Sequence, residues 1–214
     1  MTKNITMLGI GHVGQAITGA LLRHGYHVTV AARDATSRNV KEAQARFPSI
    51  KVLPIREAVA HADFVFLAVP YDQHAGALTS AGDGLKGKIV VDCTNPVGPN
   101  FTHALDSMRG GTEAVQEVVP FAHVVKAFTI IGFDNMEDPT FQGYGKALPA
   151  MLIAGDNAEA KAAVSKLLTS LGWEPVDAGP ASSSLHLEHL TLLWIKLAYV
   201  QGLGRHFVWA LLRK

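Results

Sequence analysis

The feature that most constrains this chain is a glycine-rich turn close to its first residue. Gly9, Gly11 and Gly14 have G-x-G-x-x-G spacing and follow a short apolar run, residues 4–8, that is typical of a buried strand. Residues 15–23 continue as an amphipathic helix. The first glycine permits the sharp turn, the second leaves room for a pyrophosphate, and the third allows close packing of helix on strand. The pattern predicts a dinucleotide site; a purely structural turn is the alternative.

The start of the helix behind this turn is where the phosphates of a dinucleotide would bind. Free N–H groups and the helix dipole attract anions at such a terminus. We expect the histidine of the turn to contribute its backbone N–H rather than its ring. The predicted phosphate-binding residues are Gly9, Gly11, His12, Val13 and Gly14.

The end of the second strand indicates which dinucleotide binds. Residues 27–32 form this strand and end in two alanines, whereas an NAD site commonly places there an acid that binds the ribose 2′-OH. Two cations and two hydroxyls follow, which suit a 2′-phosphate and favour NADP. Asp34 is evidence against NADP, because an acid near this position is typical of NAD sites. We interpret it instead as the N-cap of a helix that starts near residue 35. The residues expected around the 2′-phosphate are Arg33, Thr36, Ser37 and Arg38.

Alternating strands and helices along the first 132 residues predict an α/β chain with a Rossmann fold, a doubly wound and mostly parallel sheet. The near-continuous apolar run 62–70 is typical of a strand buried on both faces. A glycine-rich stretch, 98–111, is expected to be a loop that covers the site. Further strands are expected at 51–53, 88–93 and 123–129, and helices at 38–47, 55–61, 71–82 and 113–119.

The chain changes character after residue 132. A looser stretch, 133–146, precedes a strand (150–154), a helix (158–171), a strand (174–178) and a long helix that is capped by Ser182 to Ser184 and runs to about residue 202. We therefore divide the chain into an NADP-binding Rossmann domain, 1–132, and a small C-terminal α/β-helical extension, 133–214. The extension is expected to complete the acceptor cleft and to form a dimer interface.

Charge and hydropathy narrow the possible partners to small molecules and a second subunit. The formal net charge of +1 gives no electrostatic reason for nucleic acid or an anionic membrane to bind. No apolar run reaches the length of a membrane span, and the chain starts directly with a strand, so we expect no signal peptide. Cys93 is the single cysteine, which fits a reducing compartment. We expect a cytoplasmic protein.

In open α/β sheets, ligands bind at the carboxyl ends of the strands. Val69, Pro70 and Asn95 follow two of these ends and are expected to contact the cofactor. Pro70 and Asn95 would lie near the nicotinamide; ordinary turn chemistry is the alternative for both. We assign no side chain as acid–base catalyst or nucleophile.

The remaining polar residues of interest are interpreted without a catalytic role. His186 and His189 flank Glu188 on a helix, but no third ligand follows at suitable spacing, so we predict no metal site and expect partly buried or interface histidines. Lys126 interrupts an apolar strand, and we expect it to form an ion pair at the sheet surface. His74 is expected to be a surface residue.

Several of these motifs together resemble the NADPH-dependent coenzyme F420 reductase family, whose relatives include the cytosolic oxidoreductase domain of the STEAP metalloreductases. The resemblance covers nearly the whole chain. At the turn after the sixth strand the family has a His-Thr-Ile-Pro-like sequence, where this chain has Phe128-Thr129-Ile130-Ile131. The motifs that carry it are the glycine turn, Arg33, Val69-Pro70, Asp177-Ala178-Gly179-Pro180, the serines 182–184, Glu188 and Leu190-Thr191.

This resemblance implies a complete arrangement of cofactor and acceptor. NADP would lie on residues 9–14, with its 2′-phosphate near Arg33 and Ser37 or Arg38. A deazaflavin such as F420, or a flavin (FMN or FAD), would face the nicotinamide across a cleft floored by Thr129 and Ile130. The subunits would pair as a homodimer.

The leading hypothesis is therefore an NADPH-dependent oxidoreductase with a flavin or deazaflavin acceptor. Hydride transfer between two stacked rings needs alignment and exclusion of water rather than a catalytic acid. An imine or 3-hydroxyacid-type reductase is the second possibility, but it would need an acid and usually a large helical domain, and only a short segment follows Pro180. A non-catalytic NADPH-binding sensor is the third.

Overall fold

Six parallel strands build the main sheet of the computed structural model, which describes residues 3–145 and 147–214. The strands are β1 (Asn4–Leu8), β2 (His27–Ala32), β3 (Lys51–Pro54), β4 (Phe64–Leu67), β5 (Ile89–Asp92) and β6 (His123–Lys126). Their order across the sheet is β3-β2-β1-β4-β5-β6, and every neighbouring pair is parallel. This order confirms the predicted doubly wound Rossmann fold.

Helices cover both faces of this sheet because successive strand residues point to opposite sides. In β4, Phe64 and Phe66 belong to one apolar core and Val65 and Leu67 to another, so the strand is buried on both faces as predicted. The helices are α1 (His12–Arg23), α2 (Arg38–Arg46), α3 (Ile55–Ala60), α4 (His74–Ala81) and α5 (Gly111–Val118).

The C-terminal extension carries a second sheet of two strands, which one isolated bridge joins to the edge of the main sheet. Its parallel strands are β7 (Ala150–Ile153) and β8 (Glu174–Asp177), joined by α6 (Ala158–Ser170), and α7 (Ser184–Ile195) follows. An antiparallel bridge pairs Lys126 at the end of β6 with Ala154, whose carbonyl accepts the Lys126 N–H at 2.8 Å. The extension is therefore hydrogen-bonded to the first half of the chain.

Several predicted elements are shorter than expected, and two of them have a clear physical cause or form. The strand predicted at 123–129 ends at Lys126, because Phe128 and Ile130 adopt positive φ angles of 54° and 60°, which a strand cannot contain. The last helix leaves α geometry after Ile195 and continues as one π turn to Val200. Ser183 stands at its N-cap but makes no side-chain capping hydrogen bond within the described residues.

Residues 1, 2 and 146, which the predicted ranges include, lie outside the described residues. Within the described part, none of the helices combines the length and the apolar character needed to cross a bilayer.

Candidate functional site

The glycine turn follows β1, and the strand order reverses between β1 and β4. Gly9 has φ of +97°, and a Cβ there would lie 2.4 Å from the Ala68 carbonyl oxygen. A Cβ on Gly14 would lie 2.3 Å from the Gly9 carbonyl oxygen, so this glycine allows α1 to pack on the turn. Around Gly11, by contrast, no described heavy atom lies within 4 Å of the position of a Cβ. The turn therefore leaves open space at the one position expected to face a pyrophosphate.

The beginning of α1 fits the predicted phosphate site. Gly11 is its N-cap and His12 its first residue, so the unpaired N–H groups of the first turn start at the open face of the glycine turn. The exposed ring of His12 stacks on Phe133, with 4.9 Å between the ring centres. Because the ring is held there, the backbone N–H remains the group that His12 offers to an anion. Val13 follows within the same first turn and is half-buried.

A cavity of about 330 Å³ extends from the glycine turn along the carboxyl ends of β2 and β4. Its apolar wall includes Ala31, Ala68 and Ala77, and its polar side includes Asn39, which the sequence analysis missed. Asn39 lies in the first turn of a charged helix and belongs to no recognisable sequence motif, so the sequence alone did not indicate a binding role. The predicted site residues that line the cavity are Gly9, Gly11, Arg33, Ser37, Val69 and Pro70.

Asp34 is not the N-cap of the following helix, which corrects the prediction. The helix starts at Arg38, with Ser37 at the N-cap. The Asp34 carboxylate instead accepts hydrogen bonds from the hydroxyl (2.6 Å) and backbone N–H (2.7 Å) of Thr36. These bonds lower the pKa of Asp34, and they occupy the Thr36 hydroxyl that was expected to bind phosphate. An aspartate can close such a local turn two residues on as readily as it caps a helix.

Arg38 is not among the residues that line the cavity, and its place at the 2′-phosphate stays a prediction. Its Nε donates to Glu42 at 2.7 Å, one helical turn further on. This i, i+4 pair is visible in the sequence and favours a solvated helix face over a ligand contact. Arg33 and Ser37 remain at the cavity, and Ser37 makes no side-chain capping bond to the described residues, so its hydroxyl is available to a ligand.

The loops after β5 and β6 are joined at the other end of the site. The hydroxyl of Thr191, on α7, accepts the backbone N–H of Ile130 at 2.9 Å and lies 3.2 Å from Oδ1 of Asn95. Asn95 is half-buried, whereas Thr129 and Ile130 are fully buried. Asn95 and Ile130 are thus brought together as predicted, but neither Thr129 nor Ile130 presents a surface that could floor a cleft.

The C-terminal tail packs against the apolar core that contains Ile130. The indole N–H of Trp209 donates to the Ile130 carbonyl at 2.9 Å. The hydroxyl of Thr129 has no hydrogen-bond partner among the described residues. A tail that folds back over this turn leaves no periodic signal in the sequence, so the prediction of an open floor failed there.

A buried charged cluster lies beneath the loop that carries Asn95. We define it as Asp92, Lys126, Glu188 and His103. Lys126 is fully buried, and its Nζ is 2.7 Å from Glu188, 3.4 Å from Asp92 and 2.7 Å from the Thr94 carbonyl. Burial lowers the pKa of Lys126, but the two carboxylates outweigh it and hold the pKa above its usual value. The predicted ion pair exists, but it lies in the interior rather than at the sheet surface.

Glu188 connects this cluster to the loop at 98–111, which is a loop as predicted. Nε2 of His103 lies 2.8 Å from Glu188, and the Gly111 N–H donates to the same carboxylate at 2.9 Å. Nδ1 of His103 accepts the backbone N–H groups of Leu105 and Ser107, so the ring donates through Nε2. The loop is therefore anchored on α7.

Tyr71 and three histidines lie on the elements around the cluster. Burial, followed by the charges of Glu188 and Asp92, raises the pKa of Tyr71 to about 12. His74 is half-buried, while His186 and His189 are exposed rather than partly buried. Among the described residues, no group of three or more His, Cys, Asp or Glu side chains could hold a metal ion.

The chain is similar in sequence and in structure to reductases that are named for NADP and coenzyme F420. Residues 4–96 match the family described as NADP oxidoreductase, coenzyme F420-dependent. An F420-dependent NADP reductase of Methanocaldococcus jannaschii is 30% identical over 148 residues, which are 66% of this chain and 65% of that protein. A crystal structure of a proposed F420-dependent NADP reductase from Arthrobacter sp. FB24 superposes with a TM-score of 0.84 at 29% identity, covering 96% of this chain and 97% of that one.

The chain is also similar to part of a metalloreductase. Metalloreductase STEAP3 of Rattus norvegicus is 31% identical over 189 residues, which are 88% of this chain. The chain spans only 36% of the length of this relative.

Proposed function

We propose that this chain, which is similar to coenzyme F420-dependent NADP oxidoreductases, is an NADP-dependent oxidoreductase whose hydride acceptor is a deazaflavin of the F420 type or a flavin, FMN or FAD. The observation that carries the proposal is the cavity in which Arg33 and Ser37 stand beside the open face of Gly11. An arginine and a free hydroxyl suit a 2′-phosphate, and the open glycine suits a pyrophosphate.

NADPH, when bound, supplies the hydride. The protein's part in the reaction is to bind and align, because hydride passes directly between two rings without an intervening side chain. The glycine turn and the start of α1 hold the phosphates, and Arg33 holds the adenosine end. Val69, Pro70 and Asn95 would border the nicotinamide end, where β4 and β5 terminate.

The alternative of an imine or 3-hydroxyacid-type reductase requires a group that protonates the product. In the described part of the chain, Lys126 is enclosed by carboxylates and Tyr71 has a pKa raised to about 12. Direct ring-to-ring transfer makes no such demand. The environments of Lys126 and Tyr71 therefore support a flavin or deazaflavin acceptor rather than an imine or a 3-oxoacid.

The direct test is anaerobic oxidation of NADPH, followed optically, with F420 and separately with FMN as the acceptor. We expect rapid reduction of F420. Turnover with FMN alone would identify a flavin as the acceptor. Tight binding of NADPH without reduction of either compound would contradict the proposal and favour the NADPH-binding sensor.

We further propose that two copies of the chain pair through the end of α7 and the π turn. Leu193, Tyr199, Val200 and Leu203 are large apolar side chains here that are between 46% and 63% exposed. Exposed apolar clusters of this kind are typical of protein interfaces. We propose the cytoplasm as the location, where Cys93 would remain reduced.

The pairing predicts the behaviour of Leu203→Asp in sedimentation velocity. The wild-type chain should sediment as a dimer, and the variant should dissociate with a Kd raised roughly ten- to hundredfold, as for loss of an interface hot spot. Leu212→Asp, which changes an even more exposed leucine outside this patch, is the control and should leave the dimer intact. A monomeric wild type would refute the pairing.

A further inference from the structure

Thr191 links two loops that follow neighbouring strands. Its hydroxyl oxygen accepts the N–H of Ile130, beyond β6, and lies within hydrogen-bond distance of Oδ1 of Asn95, beyond β5. The adenosine-end cavity lies at the carboxyl ends of β1, β2 and β4, where the strand order reverses. A dinucleotide that fills that cavity extends across the reversal, towards the loop that carries Asn95.

The contact with Thr191 determines which end of the Asn95 amide is free. The Thr191 oxygen already accepts a hydrogen bond, so its own proton is left to donate, either to Asn95 Oδ1 or to the Leu187 carbonyl at 3.0 Å. Donation to Asn95 engages the amide oxygen and leaves its NH₂ group as the donor available to a ligand. Asn95 is half-buried, so its side chain is only partly exposed to solvent.

The position of Thr191 is itself set by the buried charged cluster. Glu188 precedes it by three residues, on the same face of α7, and accepts hydrogen bonds from Lys126 Nζ and the Gly111 N–H. Lys126 also donates to the Thr94 carbonyl, immediately before Asn95. Helix and loop are thus tied to the same lysine, which keeps Thr191 and Asn95 in register.

We infer that Thr191 is a positioning residue that turns the Asn95 amide so that its NH₂ group donates to the carboxamide oxygen of the nicotinamide. The inference rests on the proposed function only in taking NADP(H) as the ligand. The inference applies to binding of the nicotinamide end, whereas the proposed role of Arg33 applies to binding of the adenosine end. It requires no particular acceptor.

The test compares two ligands on two variants. NADPH contains the nicotinamide, and 2′,5′-ADP contains only the adenosine end with its phosphates. We expect Thr191→Val to weaken NADPH roughly 3- to 10-fold, as for a lost neutral hydrogen bond, and to leave the Kd of 2′,5′-ADP unchanged. Thr191→Ser keeps the hydroxyl and should restore NADPH binding. Titration calorimetry well below the melting temperature measures all four values.

A double-mutant cycle with Asn95→Ala separates positioning from a general loss of structure. If Thr191 acts through Asn95, Thr191→Val should have no further effect on NADPH binding in the Asn95→Ala background. Equal weakening of both ligands by Thr191→Val, or the same effect with and without Asn95, would overturn the inference. Wild-type protein that binds NADPH no more tightly than 2′,5′-ADP would also overturn it, while leaving the adenosine site in place. Failure of the acceptor assay is a separate result and leaves these binding constants measurable.

Discussion

Lys126→Met should lower the free energy of unfolding by about 3–5 kcal/mol, the usual result of removing one partner from a buried ion pair. The methionine fills the space of the aliphatic chain, but Asp92 and Glu188 then share an interior without a cation. For a chain of this length such a loss lowers the melting temperature by about 6–20 °C. Calorimetric or dichroism melting of the two proteins measures the difference.

Lys166→Met is the matched control, because Lys166 is exposed on α6. It should change stability by no more than about 0.5 kcal/mol. Adding Asp92→Asn to Lys126→Met should recover part of the loss, since one unpaired buried carboxylate is removed. Equal melting temperatures for the two lysine variants would show that the buried pair does not stabilise the fold.

The buried charged cluster also predicts how the stability of the fold changes with pH. The folded-state pKa of Lys126 is raised, so its contribution to stability is fully present below the unfolded pKa of about 10.4 and is lost as the pH rises through the folded value. The stability difference between wild type and Lys126→Met should therefore shrink as the pH rises into strongly alkaline solution, which chemical denaturation at a series of pH values measures.

Arg33→Ala should weaken NADPH binding by about 1.5–3 kcal/mol, or roughly 10- to 150-fold, while NADH binding changes little. The reason is that the guanidinium at the cavity is the cation proposed to bind the 2′-phosphate, which NADH lacks. Titration of both cofactors against the wild type and the variant measures the two ratios.

Arg38→Ala provides the control for this experiment. Arg38 carries the same charge five residues later, but it is paired with Glu42 and lies outside the cavity. It should leave the preference for NADPH within about twofold of the wild type, because a solvated ion pair of this kind contributes little. If Arg33→Ala weakened NADPH and NADH equally, the 2′-phosphate would have to bind elsewhere.

The sequence was sufficient for features that depend on local patterns. The glycine spacing predicted the turn. In the structure, Gly9 makes the sharp bend, Gly11 leaves open space and Gly14 allows close packing, as expected of each position. The buried run 62–70 predicted a central strand, which the structure trims to Phe64–Leu67. Both kinds of signal lie within a few neighbouring residues, so they can be recognised without knowing the tertiary structure.

Features that depend on contacts distant in sequence escaped prediction. Lys126 was expected at the surface because nothing nearby in the sequence shows that Glu188 would reach it from α7. Thr129 and Ile130 were expected to be open because the tail that covers Ile130 lies far along the chain at Trp209. Asp34 was misread for a different reason: two local hydrogen-bonding patterns compete for the same side chain.

The buried charged cluster limits which chimeras of this protein and a relative can be stable, for example chimeras made to change the hydride acceptor. Lys126 and Asp92 lie before the obvious crossover point at residue 132, and Glu188 lies after it. A chimera that imports a C-terminal half without a carboxylate at that place would leave Lys126 with a single counter-charge and take away the acceptor of the Gly111 N–H. A chimera should therefore keep Lys126, Asp92 and a carboxylate at the position of Glu188 together.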